Sequence, residues 1–398
     1  MAKAGKQEFH AVEANVEEME WKIRQHRKKI VMRSAAAVAF VAILAAAAVL
    51  YFAYKEYRGF EVLSEFERVD NVSTKYENFA GNILRYNNDG AYYADLSDQP
   101  IWNQAFEMLS PTVHICENYA TVADLRGNQI YIMDTGGVQG EIKTNRPIEA
   151  ACVANQGSVA VLTREKGVSY LEVYNKSGES LASGEIHVAN SGFPLDIAFS
   201  NDAKKLAVSI LDISKGKAKT TVAFYNFGSV GQNEIDNMIS SYSYEDTVIP
   251  EIEFVSNDRM IAFGDNRVIL FEGAQKPEED VSLTLKEEVK SIFYDKDYFG
   301  LVYAKGGDAS AGQVMKVYDM TGRLRLEQGF QMAYQKIRFL KNHEIFIQNE
   351  HECEIYTLRG VKKFKYTFDE TLYQIFSTGS GSRYIFILDG AMEKVKLK

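Results

Sequence analysis

Short apolar segments recur along most of this chain at a spacing of about 43 residues. The first segment of each repeat starts near residue 76, 112, 149, 195, 251, 290, 335 or 373 of the 398-residue sequence. Four of these segments start at a proline: Pro111, Pro147, Pro194 and Pro250. Proline is tolerated at the start of a strand, where no backbone donor is needed. A repeat of this length is typical of β-propeller blades, which contain four short strands each.

A turn signature marks the end of several third strands. A polar residue is followed by glycine three positions later, as in Asp134 and Gly137 or Asp319 and Gly322. Asp or Asn opens tight loops, and glycine takes the left-handed backbone conformation that hairpins require. We therefore expect a fourth strand after each of these turns.

The repeats predict an all-β, eight-bladed β-propeller. The last repeat supplies only three strands, and a propeller with an open strand edge is prone to aggregate. Residues 60–67 alternate in polarity and precede the first repeat, so we expect this N-terminal strand to close the last blade. A seven-bladed propeller is the alternative, because the first repeat, residues 76–106, is irregular.

An uncharged segment, residues 34–54, precedes the repeats. It starts at Ser34, includes Phe40 and Leu44, and ends at Tyr54. As a helix it is about 31 Å long, which matches the apolar thickness of a bilayer. We interpret it as a single transmembrane helix. A cleaved signal peptide is the competing interpretation, but 33 leading residues are too many and no clear cleavage site follows.

The charges on either side of this segment predict its orientation. Residues 1–33 carry a basic cluster, whereas residues 55–70 are acidic. The positive-inside rule then places residues 1–33 in the cytoplasm and the propeller, residues 55–398, outside the plasma membrane. Only residues 55–59 would link helix and closing strand, so the propeller would lie close to the membrane, held by its rim.

The cytoplasmic tail has an apolar stripe at heptad spacing. It includes Phe9, Val12, Val16 and Met19 and continues in phase into the membrane segment. Two interpretations stay open. The stripe could join two copies into a homodimer through the tail and the membrane helix, or the tail could be an amphipathic helix on the inner leaflet.

The composition excludes some function classes. The net charge is −9, which argues against nucleic acid as a partner. The three cysteines, Cys116, Cys152 and Cys353, are too scattered for a disulfide framework, and we expect buried thiols.

Three segments resemble a known family. They are Asn-Asp-Gly-Ala-Tyr-Tyr-Ala-Asp (88–95), Ile-Trp-Asn-Gln-Ala-Phe-Glu-Met (101–108) and Asp-Leu-Arg-Gly-Asn-Gln-Ile-Tyr-Ile-Met-Asp (124–134). Together with the basic tail and apolar helix, they make the chain similar to a family of membrane-anchored bacterial propellers of unknown function. Its repeats look like those of quinoprotein-type and outer-membrane-assembly propellers. The resemblance implies the fold and the anchor, and it carries no active-site residues.

Catalytic and metal-binding patterns are not evident. Adjacent cysteines, typical of quinoprotein dehydrogenases, and the sialidase Ser-x-Asp-x-Gly-x-Thr-Trp box are missing. The spacings of His343 with Glu344, and of the His-Glu-Cys-Glu segment at 351–354, match no zinc signature, and Asp295 with Asp297 is too little for a calcium loop. We predict neither a cofactor nor a catalytic or metal site.

Two features are candidates for binding. A Tyr/Ser-rich segment contains Tyr242, Tyr244 and Asp246, and such composition is common at recognition surfaces. The mouth of the central channel is the second candidate binding feature. The leading hypothesis is a non-enzymatic interaction or scaffolding module that binds another envelope protein. A receptor for a small ligand or glycan is the alternative, and an unrecognised hydrolase is third.

Overall fold

The chain forms two compact units, Met1–Glu56 and Tyr57–Lys398. The computed structural model describes residues 16–68, 73–214, 216–307, 311–379 and 381–398. Helix α1 (Val16–Tyr54) has 39 residues. Phe9 and Val12, the first positions of the heptad stripe, lie outside the described residues.

Helix α1 has the properties of a membrane-crossing helix. Met19–Tyr51 is long enough and apolar enough to span a bilayer, with a mean hydropathy of 2.3 in its most apolar window. The predicted membrane residues Ser34, Phe40, Leu44 and Tyr54 lie on this helix and are exposed. Membrane anchors and signal sequences both have a helix of this kind near the N-terminus.

The second unit consists of eight four-stranded antiparallel sheets, which are the blades of a propeller. The first strand along the chain is β1 (Phe60–Glu67). Blades one to four contain β2 (Lys75–Phe79), β3 (Asn82–Asn87), β4 (Gly90–Ala94), β5 (Pro100–Ala105); β6 (Pro111–Cys116), β7 (Tyr119–Asp124), β8 (Gln129–Asp134), β9 (Gly137–Lys143); β10 (Ile148–Val153), β11 (Val159–Glu165), β12 (Val168–Tyr174), β13 (Ser180–His187); and, after the four-residue helix α2 (Val188–Ser191), β14 (Phe193–Phe199), β15 (Lys205–Asp212), β16 (Lys219–Asn226), β17 (Met238–Glu245).

The remaining blades follow the same order. Blades five to seven contain β18 (Glu251–Phe254), β19 (Arg259–Phe263), β20 (Arg267–Glu272), β21 (Glu278–Thr284); β22 (Val289–Tyr294), β23 (Tyr298–Ala304), β24 (Gln313–Asp319), β25 (Leu324–Phe330); and β26 (Lys336–Phe339), β27 (Ile345–Gln348), β28 (Glu352–Tyr356), β29 (Lys362–Thr367). Blade eight contains β30 (Leu372–Ser377), β31 (Arg383–Leu388) and β32 (Ala391–Leu397), with β1 as its outermost strand. The described residues also contain three short 3₁₀ turns, Gly231–Asn233, Ile235–Asn237 and Lys305–Gly307.

The sequence prediction of eight blades is confirmed, and the seven-bladed alternative is wrong. All eight predicted first strands are present at the expected positions. The first repeat is a regular sheet, because two-residue turns connect its strands at Ala80-Gly81 and at Asn88-Asp89. Its irregular appearance in the sequence reflects these short turns.

The predicted turn chemistry is also present. Gly178, Gly322 and Gly360 have positive φ values of 83°, 76° and 80°. The Oδ1 atom of Asp319 accepts hydrogen bonds from the backbone N–H groups of Thr321 and Arg323, at 2.9 and 3.1 Å. These contacts hold the chain in the tight turn before the fourth strand.

The core consists of contacts between blades. The described buried apolar residues form eight clusters, and each cluster joins two neighbouring blades around the ring. Second strands are therefore covered on both faces, which explains why β11 and β15 are apolar runs without alternation. Blade eight packs on blade one through a cluster that includes Tyr76 and Phe376, which closes the ring.

Strand β1 closes blade eight, as predicted. It pairs with β32 from Phe60 opposite Leu397 to Glu67 opposite Ala391. A β-bulge between Val62 and Ser64 interrupts the expected alternation, so that Val62 and Leu63 are both exposed.

The segment around β1 contacts three blades. Tyr57 forms a bridge to Phe364 of blade seven, and its N–H donates to the Lys363 carbonyl at 2.8 Å. The predicted five-residue linker is therefore shorter than expected, because ordered pairing starts at Tyr57 and leaves only residues 55 and 56. Beyond β1, the buried Arg68 guanidinium donates to the Leu388 carbonyl of blade eight and to the Tyr76 hydroxyl of blade one.

Phe60 anchors this closure. Its ring packs against Tyr366 of blade seven and Phe386 of blade eight, with centroid distances of 4.9 and 5.0 Å. Phe364 and Phe368 complete the same aromatic cluster.

We expect Phe60→Ala to lower the free energy of unfolding by about 3 kcal/mol, because it leaves a cavity between blades seven and eight. Chemical denaturation of the full-length protein in detergent measures this change. Val62→Ala is the matched control on the same strand, because Val62 is exposed, and we expect a change within about 0.5 kcal/mol. Equal losses for both variants would contradict the role of Phe60 in closure.

Candidate functional site

The first strand of each blade lies on the inner side of the ring, opposite the outer fourth strand, and lines the central channel. Polar side chains from several of these strands come together in one sector. The residues are His114 on β6, Asp196 on β14, Glu251 and Glu253 on β18, and Tyr294 on β22. Because they come from blades two, four, five and six, only the closed ring assembles this group, which we call the acidic sector.

His114 joins two sides of the channel. Its Nε2 atom lies 3.5 Å from Glu253 Oε1, across from blade two to blade five. The Val153 N–H donates to the other ring nitrogen, Nδ1, at 3.1 Å. Nδ1 is therefore an acceptor, and the ring proton on Nε2 faces the carboxylate.

Asp196 is the most perturbed carboxyl group of the sector. Burial raises its pKa to about 7, and Glu253 and Glu251 add to this effect, whereas hydrogen bonds from the Ile252 and Ile197 amides oppose it. The Ile252 N–H donates to Asp196 Oδ2 at 2.9 Å. Burial also raises the pKa of Glu251 and, well above its usual value, that of the Tyr294 hydroxyl. The sector thus favours protons or other cations.

A cavity of about 210 Å³ connects this sector to one face of the ring. His114, Glu253 and Tyr294 line it inside, and Glu117, Asp295 and the basic Lys296 line it at the turns between first and second strands. It is large enough for a small ion with its water shell or a short organic cation.

Basic groups lie in a different sector of the channel. Arg338 on β26 forms an ion pair with Glu77 on β2, with 3.1 Å between Nη1 and Oε2. Burial lowers the pKa of the neighbouring Lys336, and the positive charges of Arg338 and Lys75 lower it further. The basic residues Lys336 and Arg338 therefore lie on a different part of the channel wall from the acidic sector.

One further cluster combines residues that sequence analysis considered separately. His343 Nδ1 lies 2.6 Å from Asp295 Oδ2, and His343 Nε2 lies 3.4 Å from Asp297 Oδ2. One donor atom from each residue lies within 4.8 Å of the others, so the three could hold a metal ion. Direct contacts between the His343 ring and the two carboxylates account for the same geometry. Asp295 and Asp297 are too few ligands for a metal site when the sequence is read alone. The third residue of the cluster, His343, belongs to the next blade.

The predicted interaction segment is the outer strand of blade four. Tyr244 is buried, and its hydroxyl donates to Glu279 Oε2 of blade five at 2.5 Å. Tyr242 packs against Phe271, with centroids 5.3 Å apart. Asp246 is exposed and pairs with Lys217, with 3.3 Å between Oδ2 and Nζ. Both tyrosines thus contribute to packing between blades, and a role in recognition stays a prediction.

The cysteines are free and buried, as expected. Cys116 lies between blades two and three, Cys152 between blades three and four, and Cys353 between blades seven and eight. Burial raises the pKa of the Cys116 thiol to about 12 and those of Cys152 and Cys353 as well. Thiols in this state are poor nucleophiles.

Sequence reasoning missed the acidic sector. His114 lies 82 positions before Asp196, Asp196 lies 55 before Glu251, and Glu253 lies 41 before Tyr294, and no local motif links them. Alignment of the eight first strands would have placed His114, Asp196, Glu253 and Tyr294 on the channel wall. Their contacts depend on how narrow the channel is, which the sequence does not specify.

We expect the stability of Asp196→Asn, compared with that of the wild type, to increase as the pH rises from 5 to 8. The folded-state pKa of Asp196 lies above its unfolded value, so its contribution to stability is present below about pH 4 and is lost as the pH rises through 7. The amide keeps an acceptor for the Ile252 N–H. The difference between variant and wild type should grow by on the order of 3 kcal/mol from pH 5 to pH 8.

Thermal unfolding at the two pH values measures this difference. Asp369→Asn, an exposed site, is the control and should show none. A constant difference between Asp196→Asn and wild type at both pH values would contradict the burial of a protonated carboxyl group.

Comparison with known proteins agrees with this architecture. Similar solved structures include BamB from Moraxella catarrhalis, with a TM-score of 0.50 and 13% identity, covering 85% of this chain and 100% of that chain. The C-terminal WD40 domain of Sif2 has a TM-score of 0.56 and 12% identity, covering 86% and 99%. A eukaryotic initiation factor has a TM-score of 0.50 and 13% identity, covering 82% and 83%. At such identities the likeness shows the fold alone.

The comparison with curated proteins gives no significant match. The family model that matches residues 53–397 is described as a family of unknown function, DUF5711. This match covers the whole propeller and includes the end of α1, so the chain belongs to the DUF5711 family.

Proposed function

We propose that this protein is a membrane-anchored, non-enzymatic interaction module, with its propeller outside the plasma membrane, where it binds another envelope protein. The observation that carries the proposal is the short connection between helix and propeller. Helix α1 ends at Tyr54, and Tyr57 already pairs with blade seven. Two residues span about 7 Å, so a bilayer-spanning α1 would keep the propeller at the membrane surface.

The charge distribution supports this orientation. Lys28, Lys29 and Arg33 precede the apolar part of α1, whereas Glu56, Glu61 and further acidic residues follow it. Basic residues are retained on the cytoplasmic side of single-pass helices. A rim-anchored propeller would present the rest of its perimeter and one face to partners.

Two observations favour binding over catalysis. The three thiols are buried, so they are poor nucleophiles. The cavity of about 210 Å³ is lined by three carboxylates, Glu117, Glu253 and Asp295, together with His114 and Lys296, and this excess of acidic groups suits a cation better than a polymeric substrate. Because a propeller fold hosts many functions, the fold itself does not decide this point.

The orientation predicts a clear result in intact cells. A cysteine at Ser229, in the loop before the first 3₁₀ turn, should react with a membrane-impermeant maleimide, because it would lie outside the membrane. A cysteine at Gln25 should react only after permeabilisation. The protein should also resist extraction from membranes by carbonate at high pH. Labelling of Gln25→Cys but not Ser229→Cys in intact cells would reverse the proposed topology, and release by carbonate would indicate a cleaved helix.

The homodimer is a separate proposal. If the apolar stripe joins two α1 helices, Ala47→Cys in native membranes should give a disulfide-linked dimer, because Ala47 continues the stripe at heptad spacing. A cysteine at Val49, about 200° around the helix from Ala47, should not. Absence of dimer from Ala47→Cys would leave the amphipathic-tail interpretation.

The acidic sector favours a second candidate, a receptor for a small cationic ligand at the channel mouth. We expect thermal stabilisation by members of a panel of small amines and divalent cations, and none by neutral sugars. Glu253→Gln should remove at least half of the shift, because it removes a charge from the cavity wall. Glu327→Gln, on the exposed outer strand of blade six, is the control. Stabilisation by sugars instead would favour a glycan receptor.

A further inference from the structure

The gaps between neighbouring blades are filled unequally. Between blades four and five, Phe224, Tyr242 and Phe271 fill the outer part of the gap, with centroid distances of 5.0 to 6.2 Å. Phe60 and its aromatic neighbours fill the gap between blades seven and eight. Between blades three and four, by contrast, lies an open groove of about 540 Å³.

Small residues create this groove. Ala182 and Gly184 on β13 face it from blade three, and Ala223 and Ser241 face it from blade four. A Cβ atom added to Gly184 would meet nothing within 4 Å. Larger side chains form the apolar floor, among them Leu171, Val173, Ile186 and Ile210 and the aromatic residues Tyr225 and Phe227, and residues 236–238 line one end. The position filled by a tyrosine in the next gap is thus left empty here.

The groove also follows a strand edge. Five consecutive residues of β13, from Ala182 to Ile186, line it, so it runs along the backbone and not only across alternate side chains. β13 is the outermost strand of blade three, and within the described part of the chain its outer edge pairs with no other strand. Neither lysine nor proline, which commonly protect such edges, occurs in β13.

The charged residues that line the groove are acidic. Its only charged lining residues, among those the structure describes, are Glu185 and Asp236. Leu181 and Ile235, which adjoin lining residues in the sequence, are 60% and 86% exposed. The groove therefore combines an apolar interior, an acidic rim and an exposed apolar border.

We propose that this groove binds an extended segment of a partner protein, which inserts one bulky apolar side chain between blades three and four. A Lys or Arg beside that side chain pairs with Glu185 or Asp236, and the backbone of the segment runs along β13. This inference rests on the proposed function as an interaction module and assigns its docking surface and the chemistry of its partner.

Peptide selection on the full-length protein in detergent tests this assignment. The probe is a random dodecapeptide library displayed on phage. We expect enrichment of peptides with an aromatic or large aliphatic residue next to Lys or Arg. Gly184→Leu, which fills the groove, should weaken their binding at least tenfold, and Asp236→Lys should weaken it at least fivefold.

Matched variants on blade six serve as controls. Gly329→Leu changes another outer-strand glycine, whose added Cβ would meet only the Gln313 carbonyl oxygen at 3.7 Å, and Glu327→Lys reverses an exposed charge on the same strand. Both should leave binding within twofold of the wild type. Unfolding temperatures of all four variants exclude misfolding as the cause. Selection of no peptides, or of peptides insensitive to Gly184→Leu, would overturn the docking site.

Photo-crosslinking in native membranes separates this inference from the proposed function. A benzoylphenylalanine at Ser183, which lines the groove, should crosslink a protein segment of the stated chemistry, and one at Gly329 should not. Crosslinks to an envelope protein from Gly329 alone would refute the groove and leave the proposed function standing. No crosslink from either site would count against both. A crosslink to a second copy of this chain would replace the partner with self-association.

Discussion

Packing between blades is the interaction on which this molecule depends. Each sheet buries both faces against its neighbours, and the buried apolar residues that the structure describes lie in the gaps between blades. Each contact is thus shared by two blades, and loss of one affects the whole ring. The closure by Tyr57, Phe60 and Arg68 matters for the same reason, because it turns a row of eight sheets into a ring.

The surfaces of interest arise where this packing varies. In the channel, first strands from different blades bring His114, Asp196 and Glu253 together at the cost of burying carboxyl groups. At the perimeter, small residues at Ala182, Gly184 and Ala223 leave a groove at the position that Tyr242 fills in the adjacent interface. The acidic sector thus concentrates charge, and the groove between blades three and four exposes apolar surface. Each stabilises the ring less than a gap filled with apolar side chains would.

The sequence predicted the fold well because blade boundaries are locally encoded. Prolines before first strands, and Asp or Asn before glycine in the turns, fix each hairpin over a few residues, and Asp319 with Gly322 behaves as expected. The sites were not predictable in this way. Asp295 and His343 are 48 positions apart. Tyr244 was predicted to be a recognition residue because its hydrogen-bond partner, Glu279, belongs to another blade and could not be identified from the local sequence. Contacts between blades depend on alignment of whole repeats.

The order of synthesis gives the closing strand a further consequence. β1 is made first among the strands, yet it pairs with β32, which is made last, and some 330 residues separate the partners. Blades one to seven can form from local hairpins as they emerge, but blade eight has to wait for the final residues. Until then, β1 and its apolar side chains lack their partner. A chain that lacks its last strand would therefore leave β1 without a partner and the edge of β31 unpaired, and exposed strand edges of this kind favour aggregation and proteolysis.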